Sequence, residues 1–323
     1  MAFATTEAFA GHALSFDGTD DSVVVPHDPQ LNLVSGDFAI ESWVYLNASG
    51  SQTIASKGDG NGIATNDAWI FQIQGDKIAL QLVDGVSTSE WGLSTTNVPL
   101  NEWVHVAVSF TGTTASFYLN GVADGTHNYG FSPSDNGDSQ SMYMARQGSV
   151  CDCNYLNGDL DELKIWSAVK SDFSDRYSLV DLSIPQPNLV AYYSFDEGVG
   201  ATNILDASVN TNDGTVNGAT FNTSTVPLGP PLSVTTTTPI QLESNILASD
   251  NILIDFDATL DGTSLNATNI KVWGSQSGLA TAIYSGGGSS TLTINPDADF
   301  LAGEKVSVII TNGVRGLAGE VAV

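Results

Sequence analysis

The sequence predicts an all-β protein built from packed antiparallel sheets. Gly contributes 32 of the 323 residues, and Val, Ile, Thr and Ser are abundant, a mix suited to short strands joined by tight turns. Apolar and polar residues alternate over short runs bounded by Gly, Asn or Asp. Long helical periodicity is missing almost everywhere. The length is a soft prior for two domains.

In chain order, Ala13 to Val25 reads as strand, turn, strand about the acidic hinge Asp17-Gly18-Thr19-Asp20-Asp21. Asp37 to Leu46 alternates cleanly, with Phe38, Ile40, Ser42, Val44 and Leu46 on one face. Thr53 to Ser56 is a short strand leading into the polar loop Lys57-Gly-Asp-Gly-Asn-Gly62. Trp69 to Gln74 and Lys77 to Val83 form a hairpin about Gly75-Asp76. Trp103 to Phe110 and Thr114 to Leu119 form another, and Asn120-Gly121 turns into Val122.

Met142 to Arg146 is a strand before Cys151-Asp152-Cys153. These two cysteines are a loop clip or free thiols, since two thiols alone make a poor zinc site. Tyr155 to Trp166 interleaves Leu156, Leu160, Leu163, Ile165 and Trp166 with Asp159, Asp161, Glu162 and Lys164. Asp161 is the odd residue, because it falls where a packed strand would carry an aliphatic side chain. Such a carboxylate must be neutralised, hydrogen-bonded or bound to a cation. Ser167 to Leu179 is the one helix-compatible stretch. Leu189 to Phe195 is a strand, and residues 204–221 break into short strands at Asn, Asp and Gly.

Leu14-Ser-Phe-Asp-Gly-Thr-Asp-Asp-Ser-Val, Phe38-Ala-Ile-Glu-Ser-Trp-Val, Trp103-Val-His-Val-Ala-Val, Phe117-Tyr-Leu-Asn-Gly and Gly158-Asp-Leu-Asp-Glu-Leu-Lys-Ile-Trp come in a telling order. With Tyr192-Tyr-Ser-Phe-Asp-Glu-Gly they resemble bacterial laminin-G-like (concanavalin A-like, pentraxin-related) jelly-roll domains over residues 10–222. The resemblance implies a two-sheet jelly roll. Pro227, Pro230 and Pro231 beside Gly229 make a stiff linker, so residues 1–228 form one domain and 229–323 a second. In the latter, Ile252 to Phe256, Ile270 to Trp273, Thr291 to Pro296 and Lys305 to Thr311 read as strands. With Ala302-Gly303-Glu304 and Leu317-Ala-Gly-Glu320 they resemble a bacterial Ig-like spacer, a smaller β-sandwich repeated in surface-layer and secreted proteins.

Acidic residues outnumber basic ones 36 to 9, a formal net charge of −27. Residues 1–228 carry 27 acidic and 6 basic side chains, and the remainder 9 and 3. A surface this negative repels phosphate backbones and anionic membranes, so nucleic acid is disfavoured as a partner. No apolar run approaches the ~20 residues that span a bilayer. The start lacks a basic segment followed by an apolar one, so the chain is either cytosolic or, the preferred expectation, a mature extracellular segment with an added Met.

Two candidate sites follow. Calcium takes six to eight oxygens, mixing carboxylates with carbonyls. Asp17 and Asp161 are the expected carboxylate ligands, and likeness to jelly-roll relatives adds the Gly36 carbonyl. The alternative is that both aspartates cap turns. The second site is a ligand surface on the loops 57–69 and 146–155, which hold ligand-bridging calcium in pentraxin-like relatives. Here Arg146-Gln147-Gly148 stands where relatives carry acidic residues, a departure from the double-calcium pattern. What remains is Trp69, Trp91 and Tyr155 for stacking on sugars, with Asp59, Asn61, Asp67, Arg146 and Asn154 for hydrogen bonds. The alternative is that both tryptophans are core and the loops merely solvated.

Catalysis finds little support. The paired carboxylates of jelly-roll glucanases have no counterpart here, and Asp159-Leu-Asp-Glu162 has the wrong spacing. His12, His27, His105 and His127 show no ligand spacing, and no nucleophile elbow or phosphate loop occurs. The expectation is a non-enzymatic, calcium-stabilised carbohydrate-binding or adhesion module of a larger bacterial surface or secreted protein. Its partners would be polysaccharide or glycoprotein glycans and neighbouring domains of the same chain. The rival expectation is a stalk or filament subunit that contacts protein and binds no sugar, and a weaker one is a glycoside hydrolase.

Overall fold

The computed structural model describes residues 11–323 apart from 35, 61–66, 136–138, 152, 178–179, 181, 183, 227–230, 241–249, 312, 318–319 and 323. Strand accounts for 49% of residues and helix for 4%, so the chain is all-β. Contacts divide it into two units, one of residues 10–173 with 181–226, the other of residues 227–323 with 174–180.

In the first unit the strands run β1 (His12–Asp17), β2 (Ser22–Val25), β3 (Phe38–Leu46), β4 (Gln52–Gly58), β5 (Asp67–Gln74), β6 (Lys77–Val83), β7 (Ser89–Asn97) and β8 (Trp103–Thr111). They continue as β9 (Thr114–Leu119), β10 (Val122–Asn128), β11 (Met142–Met144), β12 (Asn157–Trp166), β13 (Leu189–Tyr193), β14 (Asn203–Ile204), β15 (Gly214–Asn217) and β16 (Thr220–Thr223). One sheet has the order β10-β9-β8-β3-β12-β1-β16, with β13 on the far half of β12. The other has the order β14-β15-β2-β11-β4-β5-β6-β7.

The period-two patterns decide how these sheets meet. Leu14, Phe38, Ile40, Val44, Val106 and Phe110 on the first sheet share one buried cluster with Val23, Trp69, Phe71, Leu80, Met142 and Met144 on the second. At the Gly75-Asp76 turn both φ angles are positive, as a tight two-residue hairpin requires. The acidic hinge behaves differently. It joins β1 to β2, which lie in different sheets, so it is a corner of the sandwich rather than a hairpin.

The expected helix over Ser167 to Leu179 is absent among the described residues, where only the 3-10 turn Ser174–Tyr177 forms. Lys170 Nζ instead reaches Glu41 Oε1 at 2.7 Å, and Phe173 packs on Ala107 and Tyr118 across the outer face of the first sheet. Tertiary burial outweighs the weak propensity of one short segment.

The second unit holds β17 (Pro231–Leu232), β18 (Val234–Thr238), β19 (Ile252–Phe256), β20 (Ile270–Gly274), β21 (Gly278–Ala280), β22 (Ala282–Ser285), β23 (Thr291–Pro296), β24 (Val306–Ile310) and β25 (Val321–Ala322). Sheets β18-β19-β23-β22 and β21-β20-β24 enclose a core of Ile254, Phe256, Ile270, Val272, Leu292 and Ile294. No helix among the described residues is long and apolar enough to cross a membrane.

Candidate functional site

The outward face of the second sheet follows from the same alternation. Trp69, Phe71, Leu80 and Leu82 point into the core, so Ile70, Gln72 and Gln81 point away from it. Register then aligns Val24, Tyr143, Ser56, Ile70, Gln81 and Trp91 in one row across β2, β11, β4, β5, β6 and β7. A neighbouring row holds Thr53, Gln72, Ala79 and Leu93. From Tyr143 to Trp91 the row crosses four strand spacings, about 19 Å.

At the β7 end Trp91 is half-buried and its indole N–H makes no hydrogen bond among the described residues. Beside it Gln81 is only 5% exposed, yet its Oε1 is buried without a donor. A buried acceptor left unpaired costs about 1–3 kcal/mol, and a native structure that tolerates one does so through strain, a functional role, or a water or ion.

At the β11 end the chain leaves the sheet after Ala145 and rejoins it at Asn154, whose carbonyl accepts from Thr53 N at 2.8 Å. The excursion between them carries a Cys151–Cys153 disulfide with Cα atoms 5.2 Å apart. The Arg146 guanidinium lies 5.4 Å from the Tyr143 ring centroid and 5.7 Å from that of Tyr155. Asn154 Nδ2 donates to Gln147 Oε1 at 2.6 Å. The excursion is pressed against the loop after β4. Val150 N donates to Asp59 O at 2.8 Å, and a Cβ on Gly60, where φ is +74°, would lie 2.2 Å from Gln147 O. The structure therefore unites the two loops singled out in the sequence, and Arg146, Asn154 and Tyr155 cluster there.

Other expected ligand residues lie elsewhere. Trp69 is fully buried in the core, with Nε1 donating to Leu31 O at 2.8 Å, so it offers no stacking surface. That corrects its assignment, because β5 alternation turns Trp69 inward while Trp91 on β7 lies in the outward row. Asp59 and Asp67 are both buried, and Asp67 Oδ1 accepts from Gly60 N at 2.7 Å. These carboxylates shape the loop from within. Asn61 lies outside the described residues. Gln81 and Tyr143 escaped the sequence reading. Their only signal was a polar or amphipathic side chain at the outward beat of an otherwise apolar strand.

Comparison with known proteins now places both units. Residues 17–172 match the family model described as the concanavalin A-like lectin/glucanases superfamily, of laminin-G type. Residues 229–322 match the model for a bacterial Ig-like domain. The chain joins a laminin-G-like domain to a bacterial Ig-like domain. No curated protein matches it in sequence. Among solved structures, a candidate carbohydrate-binding protein from Bacteroides ovatus is similar at 19% identity and a TM-score of 0.51, over 68% of this chain and 62% of its own. The chain thus spans 62% of that protein's length. A heptameric SAP-like pentraxin from Limulus polyphemus is similar at 13% identity and a TM-score of 0.45, over 69% of this chain and 99% of its own. Domain 4 of an extracellular arabinanase from Geobacillus stearothermophilus, in complex with arabinotriose, shares 19% identity at a TM-score of 0.37, over 49% and 71% of the two chains. Identities this low speak to fold alone.

In the laminin-G-like domain the expected calcium set is not brought together. Asp17 pairs with Asn157, whereas Asp161 pairs with Trp43, four residues further along β12 and about 13 Å away. Gly36 precedes Phe38, at the end of β3 opposite Phe110, while Asp17 lies near the Leu46 end. One ion cannot be shared by groups spread along the length of a strand. Asp161 is satisfied otherwise, for its Oδ1 accepts from Glu162 N and its Oδ2 from Ser224 Oγ. Burial, with Glu162 beside it, raises its carboxyl well above the ordinary carboxylate range.

The carboxylates that do converge are Asp17, Asp20 and Asp21 of the corner, with ligand oxygens within 4.8 Å of one another. Burial raises the Asp21 carboxyl above its usual value, against a hydrogen bond from Asp17 N and with the charges of Asp17 and Asp20. A second buried group lies on the outer face of the first sheet. Glu41 accepts from Trp166 Nε1 at 2.8 Å and Lys170 Nζ at 2.7 Å, and its Oε2 is 3.0 Å from His105 Nε2. Burial alone would raise Glu41, but the His105 hydrogen bond and the charges of Lys164 and Lys170 outweigh it and hold the carboxyl far below its ordinary range. That network ties the covering segment down behind Phe173, and His105 within it is a strand histidine.

Proposed function

We propose that the laminin-G-like domain is a carbohydrate-binding module whose ligand lies on the outer face of its second sheet. The observation that carries this reading is the pairing of half-buried Trp91, whose indole N–H is unbonded among the described residues, with Gln81, whose acceptor has no partner there. An aromatic ring offers its face to the C–H side of a sugar, and a fixed amide acceptor takes a hydroxyl proton. Tyr143, Arg146, Asn154 and Tyr155 bound the same face at its other end. The Bacteroides ovatus structure of similar fold, a candidate carbohydrate-binding protein, supplies context.

The reading is non-catalytic. Glycoside hydrolysis requires two carboxyl groups flanking the scissile bond, and the two outward rows carry none. The module belongs to a secreted or surface-exposed protein, with the Ig-like domain as a spacer and avidity supplied by repetition. Calcium is a structural ion in this reading. Asp17, Asp20 and Asp21 fit it as an all-oxygen donor set whose mutual repulsion a cation relieves, and Gly36 and Asp161 take no part.

A glycan array with and without calcium, followed by calorimetry on the hits, tests the proposal. Saturable binding that falls about tenfold or more in Trp91→Ala, with unchanged melting, is the expected result. An empty array beside concentration-dependent light scattering would replace it with a protein-contacting stalk subunit.

A further inference from the structure

We infer that the glycan carries an isolated carboxylate, which docks on Arg146 at the end of the face remote from Trp91. This rests on the carbohydrate-binding reading and narrows its ligand class.

Of the five basic residues in this unit, three are committed inside the protein. Lys164 Nζ is 3.2 Å from Glu162 Oε2, Lys170 is bonded to Glu41, and fully buried Lys57 reaches Gln140 O and His27. Lys77 stands at the tip of the β5–β6 hairpin. Arg146 alone lies on the proposed sugar face. Although acidic residues outnumber basic ones 36 to 9, it has no carboxylate partner among the described residues. Among the described residues its single side-chain hydrogen bond runs from Nη2 to Ser149 O at 3.2 Å, and Nε is left without an acceptor. The guanidinium is nevertheless held in place, between the rings of Tyr143 and Tyr155. A preoriented planar fork with no anion beside it among the described residues is the arrangement that recognises carboxylate in two-point fashion.

The surrounding charge sets a further condition. With 27 acidic side chains in residues 1–228, a polyanion meets repulsion along its whole length. One carboxylate on an otherwise neutral glycan feels the local cation, because screening at physiological salt removes charges beyond about 8 Å. Acidic sugars of two sources share this chemistry, uronates and nonulosonates.

The test uses the whole chain and two series of neutral oligosaccharides, one ended by a single uronic acid and one by a single sialic acid. Each is paired with its carboxyl-reduced counterpart, which keeps size and hydroxyls. Calorimetry is expected to show about tenfold or greater weakening on carboxyl reduction in whichever series binds, the usual worth of hydrogen bonds to a charged group. Arg146→Gln is expected to weaken the acidic ligand by the same factor and its reduced counterpart distinctly less. Arg146→Lys restores only part, since an ammonium lacks the fork. Equal affinity for acidic and reduced ligands, or equal loss of both in Arg146→Gln at unchanged melting temperature, overturns the inference. Sugar binding that is lost in Trp91→Ala but indifferent to carboxyl reduction would leave the carbohydrate reading standing and remove this one. Binding of no glycan in either series or on the array removes both.

Discussion

Ser224 Oγ donates to Asp161 Oδ2 at 2.5 Å, and this contact ties the strand that leaves the first sheet to a buried carboxyl in the middle of β12. Ser224 also accepts from Val226 N, so the bond anchors the start of the segment that follows β16. Asp161 therefore acts as an internal clasp, and its second oxygen secures Glu162, where the chain bulges with a positive φ.

An amide can replace that carboxyl. Asp161→Asn keeps an acceptor for Glu162 N and offers Ser224 a donor instead of an acceptor. Because the folded protein holds Asp161 above its ordinary range, its contribution is full below about pH 4 and is lost as pH rises through the folded value. The variant is expected to melt no lower than wild type at neutral pH and to gain on it as pH rises. The gain should reach about 1 kcal/mol, or about 2–4 °C for a domain of this size. Loss of stability in Asp161→Asn throughout, measured by calorimetry, would return Asp161 to a role as a charged ligand.

Glu41 has the opposite sign. Its carboxyl lies below its unfolded value, so its contribution is present above about pH 4.3 and is lost as pH falls towards the folded value. Glu41→Gln leaves Lys170 without the counter-charge of its carboxylate partner in a largely buried setting and is expected to cost about 3–5 kcal/mol. Urea titrations at neutral and acid pH check both points. The wild type should weaken on acidification, and the variant should lose less because it has already lost this term.

The two tryptophans separate stability from binding. Trp69→Ala empties a fully buried position and is expected to cost about 3–5 kcal/mol. Trp91→Ala should leave denaturation within about 0.5 kcal/mol of wild type and abolish most sugar affinity. A thermal melt beside a glycan titration distinguishes them, and equal destabilisation by both changes would count against an exposed platform on β7.

Calcium is expected to raise the melting temperature of the laminin-G-like domain, and chelator to lower it. Asp20→Asn combined with Asp21→Asn should erase that response by removing two of the three converging carboxylates. Asp161→Asn should leave it intact. A calcium response that survives the double change but vanishes in Asp161→Asn would reverse the assignment.

Strand positions and their inward faces were legible in the chain because each needs only local information. Phe38, Ile40, Val44 and Leu46 alternate whether or not a partner strand is known, and Gly75-Asp76 announces its turn through the φ angles it allows. The ordered motifs from Leu14 to Trp166 likewise carried the family likeness. The functional face was only half legible, since Arg146, Asn154 and Tyr155 stand out by chemistry while Gln81 and Tyr143 resemble ordinary strand residues.

The sequence by itself determined an all-β chain, a laminin-G-like domain followed by an Ig-like one, and a surface hostile to polyanions. Only the tertiary structure decided which side chains meet, because register between distant strands depends on pairings that no local pattern encodes. A shift of four residues between β1 and β12 is what parts Asp17 from Asp161. The pairing of Gln81 with its neighbours is what places an unpaired acceptor between Ile70 and Trp91.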